Sequence, residues 1–211
     1  MDIALQSGLM REIDQLVLNV ALRDVAALRH RTGMDLRLAI EVAAEQLDDA
    51  DFEVILGDLL EQNKFARAAL NIEITKHALS REPRNGRDLM GRLQHQGIRI
   101  TLDDVGFGGA ALTRLRDAPV DEIKLDRRLV RGIPDDAVDC AVVEGILGIA
   151  KKLGLIVVAN GVQAEAQRSS LAKRGCELLQ GYFYGKPARI GDIDPKTLRT
   201  PPQSAQASAA I

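Results

Sequence analysis

Two short runs, Ile98-Arg99-Ile100-Thr101-Leu102-Asp103 and Glu122-Ile123-Lys124-Leu125-Asp126, decide how this chain folds. In each, bulky apolar residues alternate with polar or charged ones, the period-two pattern of a strand with two unlike faces. Both runs finish in charge, so Asp103, Asp104, Lys124 and Asp126 are expected to meet near strand ends. Carboxylates beside a lysine at such a place are the usual material of a metal or phosphate site.

The same parity recurs on either side of these runs. Leu36 to Val42 keeps Leu36, Leu38, Ile40 and Val42 on one face and leaves Glu41 on the other. Leu70 to Thr75 does likewise with Glu73, and Leu155 to Gly161 is almost wholly apolar, as suits a parallel strand buried on both faces, before ending in Asn160 and Gly161. A last run, Leu178 to Tyr184, carries Gln180. Between them lie segments with helical spacing. Ile13, Leu16, Val17 and Val20, continued by Leu22, Val25 and Leu28, predict an apolar stripe on a helix that stops at Gly33. Phe52, Ile55, Leu56, Leu59 and Leu60 predict a second helix, with Asp48, Asp49 and Asp51 suited to its N-terminus. Val138 to Leu153 and Glu165 to Lys173 predict two more, ending near Gly154 and Gly175.

Strand and helix alternate, so the class is α/β with a parallel sheet. A barrel gathers function around one rim, at the carboxyl ends of many strands. A doubly wound open sheet gathers it at a switch point after one or two strands. Here most of the strands bring a polar residue to the end, and this favours the barrel.

Composition bounds the possibilities. With 211 residues and 46% hydrophobic content the chain can bury a core as one domain, taken as 1–195. The 28 basic and 30 acidic residues are interspersed and nearly balanced, so no basic face points to a nucleic-acid polymer or an anionic membrane. Cys140 and Cys176 are isolated, without metal-type spacing, and are expected to be reduced core thiols. No run is apolar over the roughly 20 residues of a membrane span, and the N-terminus lacks a signal-peptide pattern, so a cytoplasmic location is expected. The small, polar, proline-initiated end predicts a disordered tail over 196–211. Arg81 to Arg87 reads as a charged surface loop.

Three ordered motifs then point to a family. Gly97 to Gly108, Pro119 to Arg127, and Gln180-Gly181-Tyr182 with Lys186-Pro187 closely resemble the EAL domain, a family of cyclic di-GMP phosphodiesterases and their non-catalytic relatives. The resemblance runs from about Ala4 to about Ile193. It implies a modified (β/α)8 barrel and, in the family's enzymes, hydrolysis of cyclic di-GMP to linear pGpG with Mg2+ or Mn2+. About six strands are readable of the eight such a barrel needs, so the resemblance implies an incomplete TIM-like barrel lacking the first strands. Two open edges would then need covering by the helix at Glu12 to Arg31, by a second copy, or by another polypeptide.

Carried over position by position, the resemblance makes Glu73, Asp103 and Asp104 metal ligands and Lys124 the active-site lysine. Gln180 matches the glutamine near the end of the barrel, and Asp104, Lys124, Asp126, Gln180 and Gly181 are candidates for holding ligand. The departures are as informative. The name-giving motif would lie before the first residue. Glu41 stands where the family has a metal-binding asparagine and could itself ligate a hard cation. Lys76 replaces a glutamate, which weakens a cation site by repulsion. Asn160 and Gln163 replace the two glutamates of Glu-Gly-Val-Glu, and a carboxamide at Asn160 cannot act as a general base. Phe107, Gly109, Ala110 and Ala111 replace residues of a loop that shapes the site and, in relatives, relays dimer contacts.

Simpler readings stand beside these. Asp103 and Asp104 could end a strand and begin a turn, and Lys124 with Asp126 could be a structural ion pair. Gly106, Gly108 and Gly109 suit a turn better than a phosphate cradle, and His30, His77 and His95 have no ligand spacing. The expectation is a degenerate, non-catalytic EAL domain that senses the nucleotide, regulates a protein partner, or both, with Mg2+ or Mn2+ as its metal if it holds one. The alternative is a working metal-dependent phosphodiesterase, and a homodimer is compatible with either.

Overall fold

The computed structural model describes residues 10–75, 84–106 and 115–194. Its centre is one six-stranded sheet made of β1 (Leu38–Glu41), β2 (Leu70–Thr75), β3 (Arg99–Val105), β4 (Glu122–Leu125), β5 (Ile156–Asn160) and β6 (Leu178–Gln180). The strands stand side by side in chain order and every neighbouring pair is parallel. All carboxyl ends therefore lie on one rim. This is the open (β/α) barrel arrangement that the alternation of strands and helices led one to expect.

Parity sorts the side chains into two layers. One face of the sheet carries Ile72, Ile74, Ile100, Leu102, Ile123, Leu125 and Ala159, all buried. Helices cover that face: α3 (Phe52–Gln62) contributes Phe52, Leu56 and Leu60, and α4 (Arg84–His95) contributes Leu89, Met90 and Leu93. From α5 (Arg127–Gly132) come Leu129 and Val130, from α6 (Ala137–Leu153) Val143 and Ile146, and from α7 (Glu165–Lys173) Leu171. These residues form a single apolar cluster, and its burial drives the docking of each helix on its strand. The other face presents Asn71, Glu73, Thr101, Asp103, Glu122 and Lys124.

The first helix, α1 (Met10–Thr32), packs on β1 and α3 and also touches the 3-10 turn Ile190–Asp192 that follows β6. It thus reaches from one flank of the sheet towards the other. Only the second half of the expected stripe faces inward. Leu22 and Leu28 are buried and Val25 packs on the core, joined by Leu18, whereas Ile13, Leu16, Val17 and Val20 are exposed on the opposite face. At about 3.6 residues per turn those two sets lie roughly half a turn apart, so only one can face the sheet.

Several boundaries agree with the sequence reading, among them β2 at Leu70–Thr75 and α7 at Glu165–Lys173. Others do not. The stretch Arg81 to Arg87, expected as a loop, becomes helical from Arg84 onward as the start of α4. The strand expected to run to Tyr184 stops at Gln180, where the chain turns with Tyr184 N donating to Gly181 O at 3.0 Å. The short helices α2 (Ala44–Leu47) and α5 were not anticipated. Cys140 and Cys176 are buried free thiols, as expected. Among the described residues no helix is long and apolar enough to cross a membrane. The expected tail over 196–211 lies outside the described residues.

Candidate functional site: an acidic rim with a built-in cation

A strict two-residue period cannot place the consecutive residues Asp103 and Asp104 on the same side of a sheet. A bulge does so here. Leu102 pairs with Ile123 and Val105 with Leu125, so β3 advances three residues while β4 advances two. The extra residue is Asp104, whose φ of 56° is left-handed, a conformation that aspartate tolerates better than most side chains. Leu102 and Val105 both enter the helix-facing core, and both carboxylates remain on the rim, with Asp104 N donating to Asp103 Oδ1 at 2.8 Å.

Lys124 lies at the centre of the site. Its Nζ donates to Glu73 Oε2 at 2.8 Å and stands 4.0 Å from Asp103 Oδ2. The side chains of Lys124, Glu73 and Asp103 are 6%, 14% and 20% exposed, so the charges face one another with little water between them. In such surroundings an ion pair is held by geometry, and removing one member leaves a costly uncompensated charge.

One step towards the amino ends of the same strands is a second polar layer. Thr101 Oγ1 lies 2.8 Å from Asn71 Oδ1 and 3.0 Å from Glu122 Oε1, and Asn71 Nδ2 donates to Glu122 Oε1 at 3.1 Å. Burial raises the pKa of Glu122 above the ordinary carboxylate value, against the lowering influence of the hydrogen bonds from Thr101 and Asn71. Asn71, Thr101 and Glu122 were not singled out from sequence, although each sits two residues before Glu73, Asp103 and Lys124 respectively. Strand parity alone was a sufficient signal for them.

The remaining candidates surround this centre. Glu41, exposed at the end of β1, pairs in register with Glu73. Asn160 pairs with Gln180 where β5 and β6 end. The two ends are sewn together because Gly161 N and Val162 N both donate to Gln180 O at 2.9 Å, and Phe183 N donates to Val162 O at 3.1 Å. Only glycine fits at 181, where a Cβ would lie 2.1 Å from Val162 O at a φ of 154°. Asp126 is used structurally: its carboxylate caps α5 by accepting from Arg128 N at 2.9 Å and also pairs with the Arg128 guanidinium. The suggested Lys124 with Asp126 pair is thereby replaced by Lys124 with Glu73 and Asp126 with Arg128. Lys76, His77 and the altered loop with Phe107, Gly109, Ala110 and Ala111 lie outside the described residues.

The chemistry of Glu41, Glu73, Asp103 and Asp104 suits a hard divalent ion. Their placement is less accommodating. Among the described residues no three acidic, histidine or cysteine side chains converge closely enough to share an ion, and the ammonium of Lys124 stands against two of the carboxylates.

An open parallel (β/α) barrel with a carboxylate and lysine rim defines the class. The family model for the EAL domain matches residues 1–187, and the chain belongs to that family. It is 33% identical over 189 residues to the cyclic di-GMP phosphodiesterase NbdA of Pseudomonas aeruginosa, covering 89% of this chain and 24% of that protein. The solved structure of the MucR phosphodiesterase of Pseudomonas aeruginosa in complex with c-di-GMP superposes with a TM-score of 0.80 at 29% identity, over 88% of this chain and 75% of that one. A calcium and cyclic di-GMP complex of BlrP1 from Klebsiella pneumoniae gives a TM-score of 0.74 at 26% identity, over 84% of this chain and 45% of that one. The chain spans about a quarter of the length of the curated relatives it matches.

Proposed function

We propose that this EAL domain is a non-catalytic receptor for cyclic di-GMP that acts in the cytoplasm and passes the nucleotide's presence to a protein partner. The observation that carries this reading is Asn160. It stands at the carboxyl end of β5, in register with Gln180, and the sequence resemblance matches it to the glutamate that serves the family's enzymes as base. A carboxamide offers hydrogen bonds to a ligand but holds no lone pair basic enough to take a proton from water. The rim retains what binding needs: the Lys124 ammonium for a phosphate oxygen, and amides from Asn160 and Gln180 for polar edges.

Lys124 supports a second element of the proposal, which is that nucleotide binding does not depend on a metal. The lysine already places one positive charge against Glu73 and Asp103, which offsets the repulsion a phosphodiester would meet there. Should Mg2+ or Mn2+ be taken up, Glu73 and Asp103 with Asp104 and Glu41 are the residues to hold it, and the ion would supply Lewis acidity to a bound phosphate.

Titration calorimetry with cyclic di-GMP, run with and without Mg2+ or Mn2+, together with chromatography for pGpG, tests the proposal. Saturable binding in both conditions without product supports it. Formation of pGpG that is lost in Asp103→Ala overturns the non-catalytic reading in favour of an active phosphodiesterase, the activity for which NbdA is named. Absence of binding overturns the receptor reading altogether.

A further inference from the structure

One buried amide outside the acidic rim joins the loop after β5 to the helix after β4. Gln167, in the first turn of α7 and 9% exposed, uses both ends of its side chain. Its Oε1 accepts from Gln163 N at 2.7 Å and from Ala164 N at 3.1 Å, which satisfies donors that the start of α7 leaves without partners. Its Nε2 donates to Val130 O at 3.1 Å, across 37 residues of sequence. Closing a helix start requires only the acceptor. The donor half makes a cross-link between α7 and α5.

The cross-link lies in a continuous series of contacts along the rim. On one side, α5 follows β4 directly, with Asp126 as the capping residue before its first turn. On the other, the segment Asn160 to Gln163 is bound to Gln180 through Gly161 N and Val162 N. The loop after β5 also approaches the start of α5 closely at Gly161, where a Cβ would lie 2.9 Å from Arg127 Cβ. Between these contacts, Gln167 is the side chain that ties the backbone of the loop after β5 to that of the helix after β4.

We propose that Gln167 is a positioning residue of the ligand-binding rim: its amide sets the spacing between α5, which follows β4, and the Asn160 to Gln163 loop, and through the latter the placement of Gln180. The inference rests on the nucleotide-binding reading for its effect on affinity, but its structural content stands apart from it. An amide is required because the two sides ask for opposite chemistry, an acceptor towards Gln163 and Ala164 and a donor towards Val130.

That requirement yields a variant that separates the two roles. Gln167→Glu keeps the acceptor, and a negative charge suits a helix start, so α7 stays capped. The other oxygen now faces the Val130 carbonyl, and the cross-link is lost. Affinity for cyclic di-GMP, measured by calorimetry on the full chain, is expected to fall on the order of tenfold or more, as for other residues that orient a site from behind. Lowering the pH restores a proton to the introduced carboxyl, which then donates to Val130 O, so the affinity of Gln167→Glu should recover relative to wild type. A residue with a role in stability alone would not give that recovery. Gln167→Met, which removes both halves, should lose affinity without recovering it. Folded Gln167→Glu that binds like wild type at every pH overturns the inference. If wild type itself does not bind, the receptor reading fails, and amide NMR decides the positioning role separately. Displaced Gly161 and Gly181 resonances in Gln167→Glu support it, and unmoved ones overturn it.

Discussion

Replacing Lys124 with methionine removes one charge while preserving most of the side chain's length and apolar stem. In the native rim that charge is 2.8 Å from Glu73 Oε2 and 4.0 Å from Asp103 Oδ2, and the lysine is 6% exposed. An exposed pair of the same geometry would contribute about 0–1 kcal/mol, because water screens both partners. Here the variant leaves Glu73, only 14% exposed, facing another carboxylate with no cation between them. Breaking a buried pair from one side costs about 3–5 kcal/mol, and the residual exposure of Glu73 places the expected loss near about 3 kcal/mol. Urea denaturation followed by circular dichroism would read this as a lower midpoint with an unchanged slope. The double variant Lys124→Met with Glu73→Gln should recover a large part of the loss, since a neutral amide no longer needs a counter-charge. The rim left behind keeps Glu73 and Asp103 without their resident cation. Mg2+ or Mn2+ at about a hundred times its dissociation constant should restore about 2.7 kcal/mol to Lys124→Met and less to wild type. A loss within about 1 kcal/mol for Lys124→Met would refute the reasoning, because the pair would then be behaving as a solvated one.

Other consequences follow from the same contacts. Gly181→Ala brings a Cβ to 2.1 Å from Val162 O and should destabilise the chain by about 3 kcal/mol or more, read by the same denaturation; a midpoint near wild type would mean that β6 and its turn do not sit against Val162 as described. Glu122 gives a pH signature. Its carboxyl is raised by burial above a value near 4.5, so as pH rises from there the unfolded chain ionises first while the folded chain keeps its proton. Stability therefore falls with rising pH until the folded group also ionises, and then levels; Glu122→Gln should remove this slope, and identical slopes in the two proteins would refute the assignment. Burial pushes the Cys176 thiol up to about 11, so alkylation at pH 8 should require denaturant, and labelling of the native protein at Cys176 would contradict its placement.

Parity makes the sheet and most of its rim legible in the sequence. Alternation in Leu70 to Thr75 determined both the strand and the side on which Glu73 emerges, and the same rule set Lys124 two residues beyond Glu122. The carboxamide at Asn160, and its place at the end of the run from Leu155, are likewise legible in the sequence. Helical spacing misled in the first half of α1, where Ile13, Leu16, Val17 and Val20 make a regular apolar stripe that stays exposed while Leu18, Leu22 and Leu28 are buried. Periodicity shows that a helix has an apolar face, and a helix with two such faces leaves the choice to packing.

What the linear order determines is which side chains can share a face, because pleat and pitch are properties of the backbone and repeat locally. What it leaves open is which charges meet. Lys124 reaches Glu73 across 51 residues, Gln167 reaches Val130 across 37, and Asp126 turns to its own helix; each choice depends on distances that exist only once the strands are side by side. The bulge at Asp104 belongs to the same class. Alternation by itself would send two adjacent aspartates to opposite faces, and the pairing of β3 with β4, advancing three residues against two, is what reconciles it with their expected meeting at the rim.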